Sequence, residues 1–233
     1  MTDLHNKVAV VTGAGRGIGR AIAVELAQAG AQIALAARSA GQLDETAALI
    51  GAAARVFPTD VREREQVRAL FGRTHSEVGP VDILVNCAGL GIYAPVVDFS
   101  DEDFNTTIDT NLRGIFLTCR EVLPSMIERQ TGHIINIASI AGKVGTANRA
   151  VYCASKFGVV GFSEALAEEV RQHGIRVAVI CPGSTDTGFG TSTAKAREKM
   201  LRPQDVAYAV RVLAMQEPNS FISEIVMRPT RKP

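Results

Sequence analysis

The sequence predicts an α/β fold built on one doubly wound parallel sheet, and two patterns support this prediction. Short apolar runs rich in β-branched residues alternate with longer segments in which apolar residues recur at helical spacing. No linker, repeat or low-complexity stretch interrupts the alternation between the first run, at 7–12, and the last, at 222–227. Strands that alternate with helices pair in parallel through right-handed crossovers, so we expect one domain over residues 1–233.

The composition is that of an ordinary globular domain. Hydrophobic residues make up 46% and charged residues 21% of the 233 residues. The net charge is +1 and no basic run has interleaved aromatic residues, so no nucleic-acid partner is expected. The four cysteines lack C-x-x-C spacing and the four histidines lack metal-ligand spacing, which predicts a reducing, cytoplasmic setting without a metal site. No apolar run reaches about 18 residues, so no membrane partner is expected.

The first strand leads into a glycine-rich turn of the kind that holds phosphates. The apolar run at 7–12 is followed directly by Gly13, Gly17 and Gly19, in the spacing G-x-x-x-G-x-G, and then by a helical segment at 20–29. Glycines let the backbone approach a pyrophosphate, and a helix N-terminus offers unpaired N–H groups. This context predicts a dinucleotide site, although S-adenosylmethionine and flavin proteins use similar turns.

The end of the second strand, at 32–37, indicates which dinucleotide binds. An NAD site usually has an acidic residue about twenty positions after the glycines, which binds the ribose 2′-hydroxyl. Here Ala37 and Arg38 occupy that region, and Arg16 lies within the glycine turn. Because guanidinium groups suit a 2′-phosphate, we expect NADP(H) rather than NAD(H). The alternative is that Arg38 is a solvated residue at a strand end.

The next two strands bring further residues to the same edge of the sheet. The strand at 54–59 ends at Asp60, which we expect to hold the adenine amino group, to cap the following helix at 62–78, or to do both. The strand at 81–85 leads into the sequence N-C-A-G at 86–89. The small residues of that segment leave room for a cofactor over the sheet edge.

A helix that starts near residue 100 contains an unfavourable pair of residues. Ser100 is the expected N-cap, with acidic residues in the first turn at 101–103. Asn111 and Gly114 lie in the interior, where both have low helix propensity. Such a departure is tolerated where function needs it, for instance in a local kink that seats a water. On spacing alone, a polar surface residue is the alternative for Asn111.

The strongest catalytic pattern is the pair Tyr152 and Lys156. Residues four apart share one face of a helix, so the phenol and the ammonium group lie side by side. A free phenol has a pKa of about 10, and a neighbouring cation is expected to lower that pKa toward neutrality. Ser139 ends the strand predicted at 133–139, where a hydroxyl faces a ligand beyond the sheet. Taken alone, the Tyr–Lys pair is more often packing than catalysis.

The remaining segments complete the alternation of strands and helices. The helix that contains Tyr152 continues to about His173 and stops at Gly174. Further strands are expected at 175–180 and 222–227, with a helix between them that starts near residue 203.

Together these motifs resemble the short-chain dehydrogenase/reductase superfamily, in its compact single-domain, NADP(H)-preferring branch. The resemblance spans nearly the whole chain and rests on Thr12 through Gly19, Asp60, Asn86 through Gly89, Asn111, Ser139, Tyr152, Lys156, Pro182, Gly183 and Thr187. It implies a Rossmann-like, three-layer αβα fold with about seven strands in the order 3-2-1-4-5-6-7. It also implies a cofactor-binding half at about 1–90 and a catalytic and substrate-binding half at about 91–233.

The resemblance also implies a role for each site residue. Ser139 would orient the substrate carbonyl and Tyr152 would transfer the proton. Lys156 would lower the tyrosine pKa and hold the nicotinamide ribose, and Asn111 would support a water that links Lys156 to solvent. The implied cofactor-binding residues are Thr12, Gly13, Gly15, Arg16, Gly17, Ile18, Gly19, Arg38, Asp60, Val61, Asn86, Ala88, Gly89, Tyr152, Lys156, Pro182, Gly183, Thr185 and Thr187.

The C-terminal third narrows the expected substrate. The family's 3-oxoacyl-carrier-protein reductases usually end with a tyrosine-threonine-glycine stretch, whereas this chain ends I-S-E-I-V-M-R-P-T at 222–230. That tail looks more like NADP-dependent reductases of hydroxy acids, pterins or small ketones. The segment at 185–202, which covers the substrate in relatives, is short and polar, so we expect an open site, or merely a solvated helical lid at 194–197. Unranked candidates for the pocket lining are Leu90, Tyr93, Lys143, Arg149 and Phe189.

The resulting hypothesis is an NADPH-dependent carbonyl reductase/alcohol dehydrogenase acting on a small ketone or a 3-oxo or 3-hydroxy acid. The alternatives are a 3-oxoacyl-thioester reductase, a non-catalytic NADP(H)-binding module and an S-adenosylmethionine transferase. Relatives commonly form dimers or tetramers through the two helices that contain Asn111 and Tyr152. A homodimer or homotetramer is therefore expected, because those helices have more apolar residues than one buried face needs: Ile115, Phe116, Val159, Val160 and Phe162.

Overall fold

The structure is a computed structural model that describes residues 3–187, 193–217 and 219–231. Within those residues, seven strands form one sheet in which every neighbouring pair is parallel. The strand order is β3-β2-β1-β4-β5-β6-β7, which confirms the predicted fold class. The strands are β1 (Val8–Thr12), β2 (Gln32–Ala37), β3 (Ala54–Pro58), β4 (Ile83–Asn86), β5 (Gly132–Ile137), β6 (Ile175–Pro182) and β7 (Glu224–Met227).

Helices cover both faces of the sheet, as the alternation predicted. They are α1 (Gly17–Gln28), α2 (Ala40–Ile50), α3 (Arg64–Glu77), α4 (Asp101–Ile108), α5 (Gly114–Arg129), α6 (Ala150–Val170), α7 (Ala194–Arg197) and α8 (Pro203–Ala214). Side chains of α3, α5 and α6 pack into one hydrophobic cluster, and side chains of α1, α2 and α8 into the other. Along β1, Val10 belongs to the first cluster and its neighbours Ala9 and Val11 to the second, because successive strand residues point to opposite faces.

Most predicted boundaries agree with the structure to within two residues. The predicted N-cap of α4 is confirmed, since the Ser100 hydroxyl accepts a hydrogen bond from the Asp103 amide at 3.1 Å. Gly174, at φ +68°, adopts the left-handed conformation expected after a helix end. The capping role predicted for Asp60 was wrong: α3 begins at Arg64, with Glu63 in the N-cap position.

The helix around Asn111 is irregular, as its sequence suggested. Residues Asp109–Arg113 form one π-helical turn between α4 and α5. Asn111 is fully buried in this turn, which excludes the alternative of a polar surface residue. A π turn inserts one extra residue into the helix and so redirects the side chain at that point, a feature frequent at functional sites.

The order of the strands in the sheet determines where a binding crevice forms. Chain connections leave β1 toward β2 on one side and β4 toward β5 on the other, so the loops after β1 and β4 diverge and open a crevice at the carboxyl edge. Among the described residues, no helix is long and apolar enough to cross a membrane.

Candidate active site

A cleft of about 1240 Å³ runs along the carboxyl edge of the sheet and is lined by residues from both halves of the chain. Seventeen of the predicted cofactor-binding residues line it: Gly13, Gly15, Arg16, Gly17, Ile18, Gly19, Arg38, Asp60, Val61, Ala88, Gly89, Tyr152, Lys156, Pro182, Gly183, Thr185 and Thr187. The catalytic candidates Ser139, Tyr152 and Lys156 lie in the same cleft. Residues far apart in sequence therefore share one binding space.

The glycine turn has no room for side chains. Gly13 has φ +68°, and a Cβ there would lie 2.9 Å from the backbone of Ala88. A Cβ on Gly19 would lie 2.1 Å from the carbonyl oxygen of Gly13. Arg16, in the N-cap position of α1, makes no side-chain cap hydrogen bond, and the first turn of α1 contains no acidic residue. The backbone N–H groups of this turn are thus arranged as an anion-binding cradle.

One end of the cleft is positively charged. Arg16 and Arg38 both line it, together with Ser39, the N-cap of α2, and Gln42 in the first turn of α2. Ser39 and Gln42 were absent from the predicted site, although their position after Arg38 was a signal for them. Two guanidinium groups and two neutral hydrogen-bonding side chains, with no acid after β2, suit a phosphate better than a ribose hydroxyl.

Asp60 lies in the cleft near these cations, but its carboxylate is already engaged. Arg62 donates from Nε and Nη2 to Asp60, at 3.0 Å and 2.6 Å to Oδ2. Burial raises the pKa of Asp60, but the hydrogen bonds and charge of Arg62, helped by the charge of Arg38, hold that pKa below its ordinary value. Asp60 is therefore an ionised acceptor oriented by Arg62.

Two predicted cofactor ligands, Thr12 and Asn86, do not line the cleft. Thr12 is buried, and its hydroxyl accepts hydrogen bonds from the amides of Cys87 and Ala88 at 3.0 and 3.1 Å. It fixes the turn after β4, so the prediction that its side chain binds cofactor is corrected.

The Asn86 side chain points to the face of the sheet that α5 covers. Its amide nitrogen donates to Asn136 Oδ1 at 2.9 Å and to Cys119 Sγ at 3.5 Å, and its oxygen accepts from Thr118 at 2.7 Å. These bonds use both N–H groups of the amide. The predicted cofactor-binding role is therefore wrong for this side chain, which ties β4 to β5 and α5.

Ser139, Tyr152 and Lys156 converge as predicted. The Ser139 hydroxyl lies close enough to the Tyr152 phenol to lower its pKa. Lys156 Nζ lies 6.0 Å from the centre of the Tyr152 ring and donates to the Ile137 carbonyl at 3.0 Å. The end of β5 and the first turns of α6 thus hold a hydroxyl, a phenol and an ammonium group at one end of the cleft.

The predicted direction of the tyrosine pKa is not observed. Burial raises the pKa of Tyr152 to about 12, and the nearby Ser139 hydroxyl and the charge of Arg149 offset this only in part. Burial also lowers the pKa of Lys156 to about 8. Sequence spacing indicated the pair correctly, but it contained no information on desolvation, which dominates both values.

The buried Asn111 side chain connects segments around the site by hydrogen bonds. Its amide exchanges two hydrogen bonds with the backbone of Leu90, both at 2.9 Å, and donates to Ser155 Oγ at 3.1 Å. These contacts tie the loop after β4 to α6. Asn111 does not line the cleft, so the structure places it as a positioning residue rather than in direct contact with ligand.

Three of the five unranked lining candidates face the cleft: Leu90, Tyr93 and Arg149. The Tyr93 ring meets the Tyr152 ring edge to face, with centres 5.5 Å apart, and Arg149 lies over Tyr93 at 4.6 Å. Lys143 instead forms an ion pair with Glu224 at 2.8 Å. Phe189 lies outside the described residues.

Comparisons with known proteins agree with this geometry. Residues 7–198 match the family model described as short chain dehydrogenase. The chain is 37% identical to an uncharacterized oxidoreductase of Staphylococcus aureus (strain MRSA252) over 230 residues, which cover 98% of this chain and 100% of the relative. An uncharacterized oxidoreductase of Staphylococcus saprophyticus is 38% identical over 234 residues, with the same coverage.

A solved structure is also similar over its whole length. It is a metagenomic short-chain oxidoreductase in complex with NADP, 38% identical, with a TM-score of 0.87. The match covers 99% of this chain and 100% of that one.

Proposed function

This chain belongs to the short-chain dehydrogenase family, and from that premise we propose that it is an NADPH-dependent carbonyl reductase acting on a small ketone or a 3-oxo or 3-hydroxy acid. The observation that supports this most is the convergence of Ser139, Tyr152 and Lys156 in the cleft that also contains the glycine turn and two arginines. The bound nicotinamide would supply the hydride.

The cofactor preference follows from the charged end of the cleft. Arg16 and Arg38 would hold the 2′-phosphate, and the glycine turn with the N-terminus of α1 would hold the pyrophosphate. The NADP bound by the similar metagenomic oxidoreductase supports the same preference. In this proposal residues 1–90 mainly bind cofactor and residues 91–233 supply catalysis and substrate binding.

The protonation state of Tyr152 at neutral pH suits proton donation to a carbonyl oxygen. With its pKa raised to about 12, Tyr152 keeps its proton at neutral pH and serves as the general acid. Ser139 orients the carbonyl by a hydrogen bond, and Tyr152 delivers its proton to the carbonyl oxygen. Lys156, with a pKa of about 8, is mainly cationic at neutral pH and stabilises the phenolate that forms.

The test is Tyr152→Phe, assayed for turnover and for cofactor binding. We expect reductase turnover to fall by at least about 10²-fold, because general acid catalysis contributes that much. NADPH should still raise the melting temperature of the variant, and more than NADH does, since ligand binding to the folded state stabilises it.

Two results would contradict the proposal. Unchanged turnover of Tyr152→Phe would remove the tyrosine from catalysis. NADPH stabilisation without turnover of any carbonyl compound by the wild type would instead identify a non-catalytic binding module.

A further inference from the structure

One cation at the catalytic end of the cleft has no part in the proposed proton transfer. Arg149 lies three residues before Tyr152, at the N-terminus of α6, and lines the cleft. Its guanidinium carbon is 4.6 Å from the centre of the Tyr93 ring, and Tyr93 contacts Tyr152 edge to face. The charge of Arg149 is close enough to the phenol to lower the pKa of Tyr152. The stack therefore places a positive charge over the Tyr93 ring, one aromatic ring away from Tyr152.

Apart from its stacking on Tyr93, the Arg149 guanidinium makes no polar contact with the described residues. Among the described residues, no carboxylate pairs with Arg149 and no acceptor takes a hydrogen bond from its side chain. It occupies the N-cap position of α6 without capping the helix. By contrast, Arg197 in the same cleft lies 3.7 Å from Asp186. An arginine stacked on an aromatic ring with its donors free is preorganised for a planar anion.

The surroundings of Arg149 favour an anion as well. The acidic residues in the described lining of the cleft are Asp60, which Arg62 engages, and Asp186, which lies near Arg197. Lys156 is directed at the Ile137 carbonyl. Arg149 is thus a cation near Tyr152 that is available to an anionic substrate. Among the described residues that line the cleft, no unpaired carboxylate would repel that substrate.

We propose that Arg149 binds a carboxylate of the substrate, which makes the substrate class a small oxo acid. This rests on the proposed reductase function and specifies its substrate. The fork of a guanidinium matches a carboxylate through two parallel hydrogen bonds. With the carboxylate on Arg149, the short carbon chain passes Tyr93 and the carbonyl reaches Ser139 and Tyr152.

The reaction balances with the groups named. The carbonyl carbon gains a C–H bond from the hydride of NADPH, which is oxidised to NADP⁺. The carbonyl oxygen gains an O–H bond from the proton of Tyr152, which solvent then replaces. The product is a hydroxy acid that keeps its carboxylate on Arg149.

The kinetic test compares oxo acids of three to six carbons with their methyl esters, which lack the charge. Wild type should prefer the acid by at least tenfold in kcat/KM. Arg149→Met should lose that preference, mainly through a higher KM for the acid, while the ester changes less than about threefold. Arg149→Lys should restore the preference in part, because it keeps the charge but not the fork. The matched control is Arg171→Met, at the far end of the same helix. This variant should retain the preference for the acid.

A binding experiment decides the inference independently of turnover. Titration calorimetry of NADP⁺-loaded protein with 3-hydroxybutanoate and with its amide should show preference for the acid, which Arg149→Met abolishes. Equal binding of acid and amide by the wild type would overturn the inference. So would an equal loss of acid and ester turnover in Arg149→Met, which would mean that Arg149 acts only through Tyr152. If the wild type binds the acid but reduces no carbonyl compound, the proposed function fails and the carboxylate site stands.

Discussion

Lys156 lies at the proposed active site and has a charge that is costly to bury. The residue is 5% exposed, and burial lowers the pKa of its ammonium group from 10.5 to about 8. The unfolded chain therefore binds more protons than the folded chain between pH 8 and 10.5. In that window the free energy of unfolding rises with pH. Below pH 8 the cost of burying the charged ammonium group lowers the free energy of unfolding by its full amount, on the order of 3 kcal/mol.

Lys156→Met should therefore abolish turnover and yet stabilise the fold at pH 7. We expect a gain of about 1–2 kcal/mol, because loss of the hydrogen bond to the Ile137 carbonyl offsets part of the relief. The gain should shrink as the pH rises from 8 to 10.5, as measured by urea unfolding. Lys7→Met, at a half-exposed surface ion pair, is the control and should change stability by less than about 1 kcal/mol at either pH. A variant less stable than wild type at pH 7 would refute this account.

Arg38 is the residue on which the cofactor preference most depends. It lines the cleft directly after β2, where no carboxylate is present. Replacing it with alanine should weaken NADPH binding by about 10- to 100-fold, the effect of losing one charge-assisted contact, and leave NADH binding almost unchanged. Fluorescence titration with both cofactors measures this. An equal loss for the two cofactors would place Arg38 away from the 2′-phosphate.

At the scale of elements, the distance between the Ser139 loop and α6 depends on Gly142. A Cβ at this position would lie 2.6 Å from the carbonyl oxygen of Lys156. The loop after β5 therefore packs directly on the backbone of α6, and this contact helps to set the separation of Ser139 and Tyr152.

Gly142→Ala should push the loop away from α6. We expect a loss of about 1–3 kcal/mol in stability, as for other overpacked sites, and a kcat at least tenfold lower with the Kd for NADPH little changed. Gly145→Ala is the matched control in the same loop, because no atom lies within 4 Å of a Cβ there. If both variants behave alike in thermal melting and turnover, close packing does not control the site.

At the scale of the whole molecule, one apolar surface is left uncovered. Phe104, Phe116 and Phe157 are 47%, 43% and 46% exposed. They lie on α4, α5 and α6, which together with the π turn form a shallow groove lined by Ile108, Leu112, Arg113, Phe116, Gly158 and Phe162. Of the five residues that the sequence suggested for this surface, Phe116 and Phe162 line the groove. Ile115, Val159 and Val160 belong instead to the protein's own core, so their apolar character gave no information about assembly.

We expect this surface to pair with a second copy of the chain. Light scattering should give the mass of a dimer or tetramer for the wild type. The double variant Phe116→Glu, Phe157→Glu should give a smaller assembly, because it buries like charges at the interface. Leu49→Glu, which changes an exposed leucine of α2, should leave the mass unchanged. A monomeric wild type would reject the assembly.

The sequence by itself determined the order of the elements along the chain, the glycine turn and the pairing of Tyr152 with Lys156. These features depend on local rules: apolar periodicity, the φ freedom of glycine, and the shared helix face of Tyr152 and Lys156. The strand order of the sheet and most of the lining residues were instead implied by the resemblance to the family, and the structure agrees with both.

Only the tertiary structure decided which polar side chains reach the cleft and how they are charged. Thr12 and Asn86 lie in the right segments, yet their side chains form hydrogen bonds within the fold, with partners up to 76 positions away. The raised pKa of Tyr152 comes from burial, and the stack of Arg149 on Tyr93 joins two loops distant in sequence. Burial and long-range contacts exist only once the chain is packed, so no local pattern contains them.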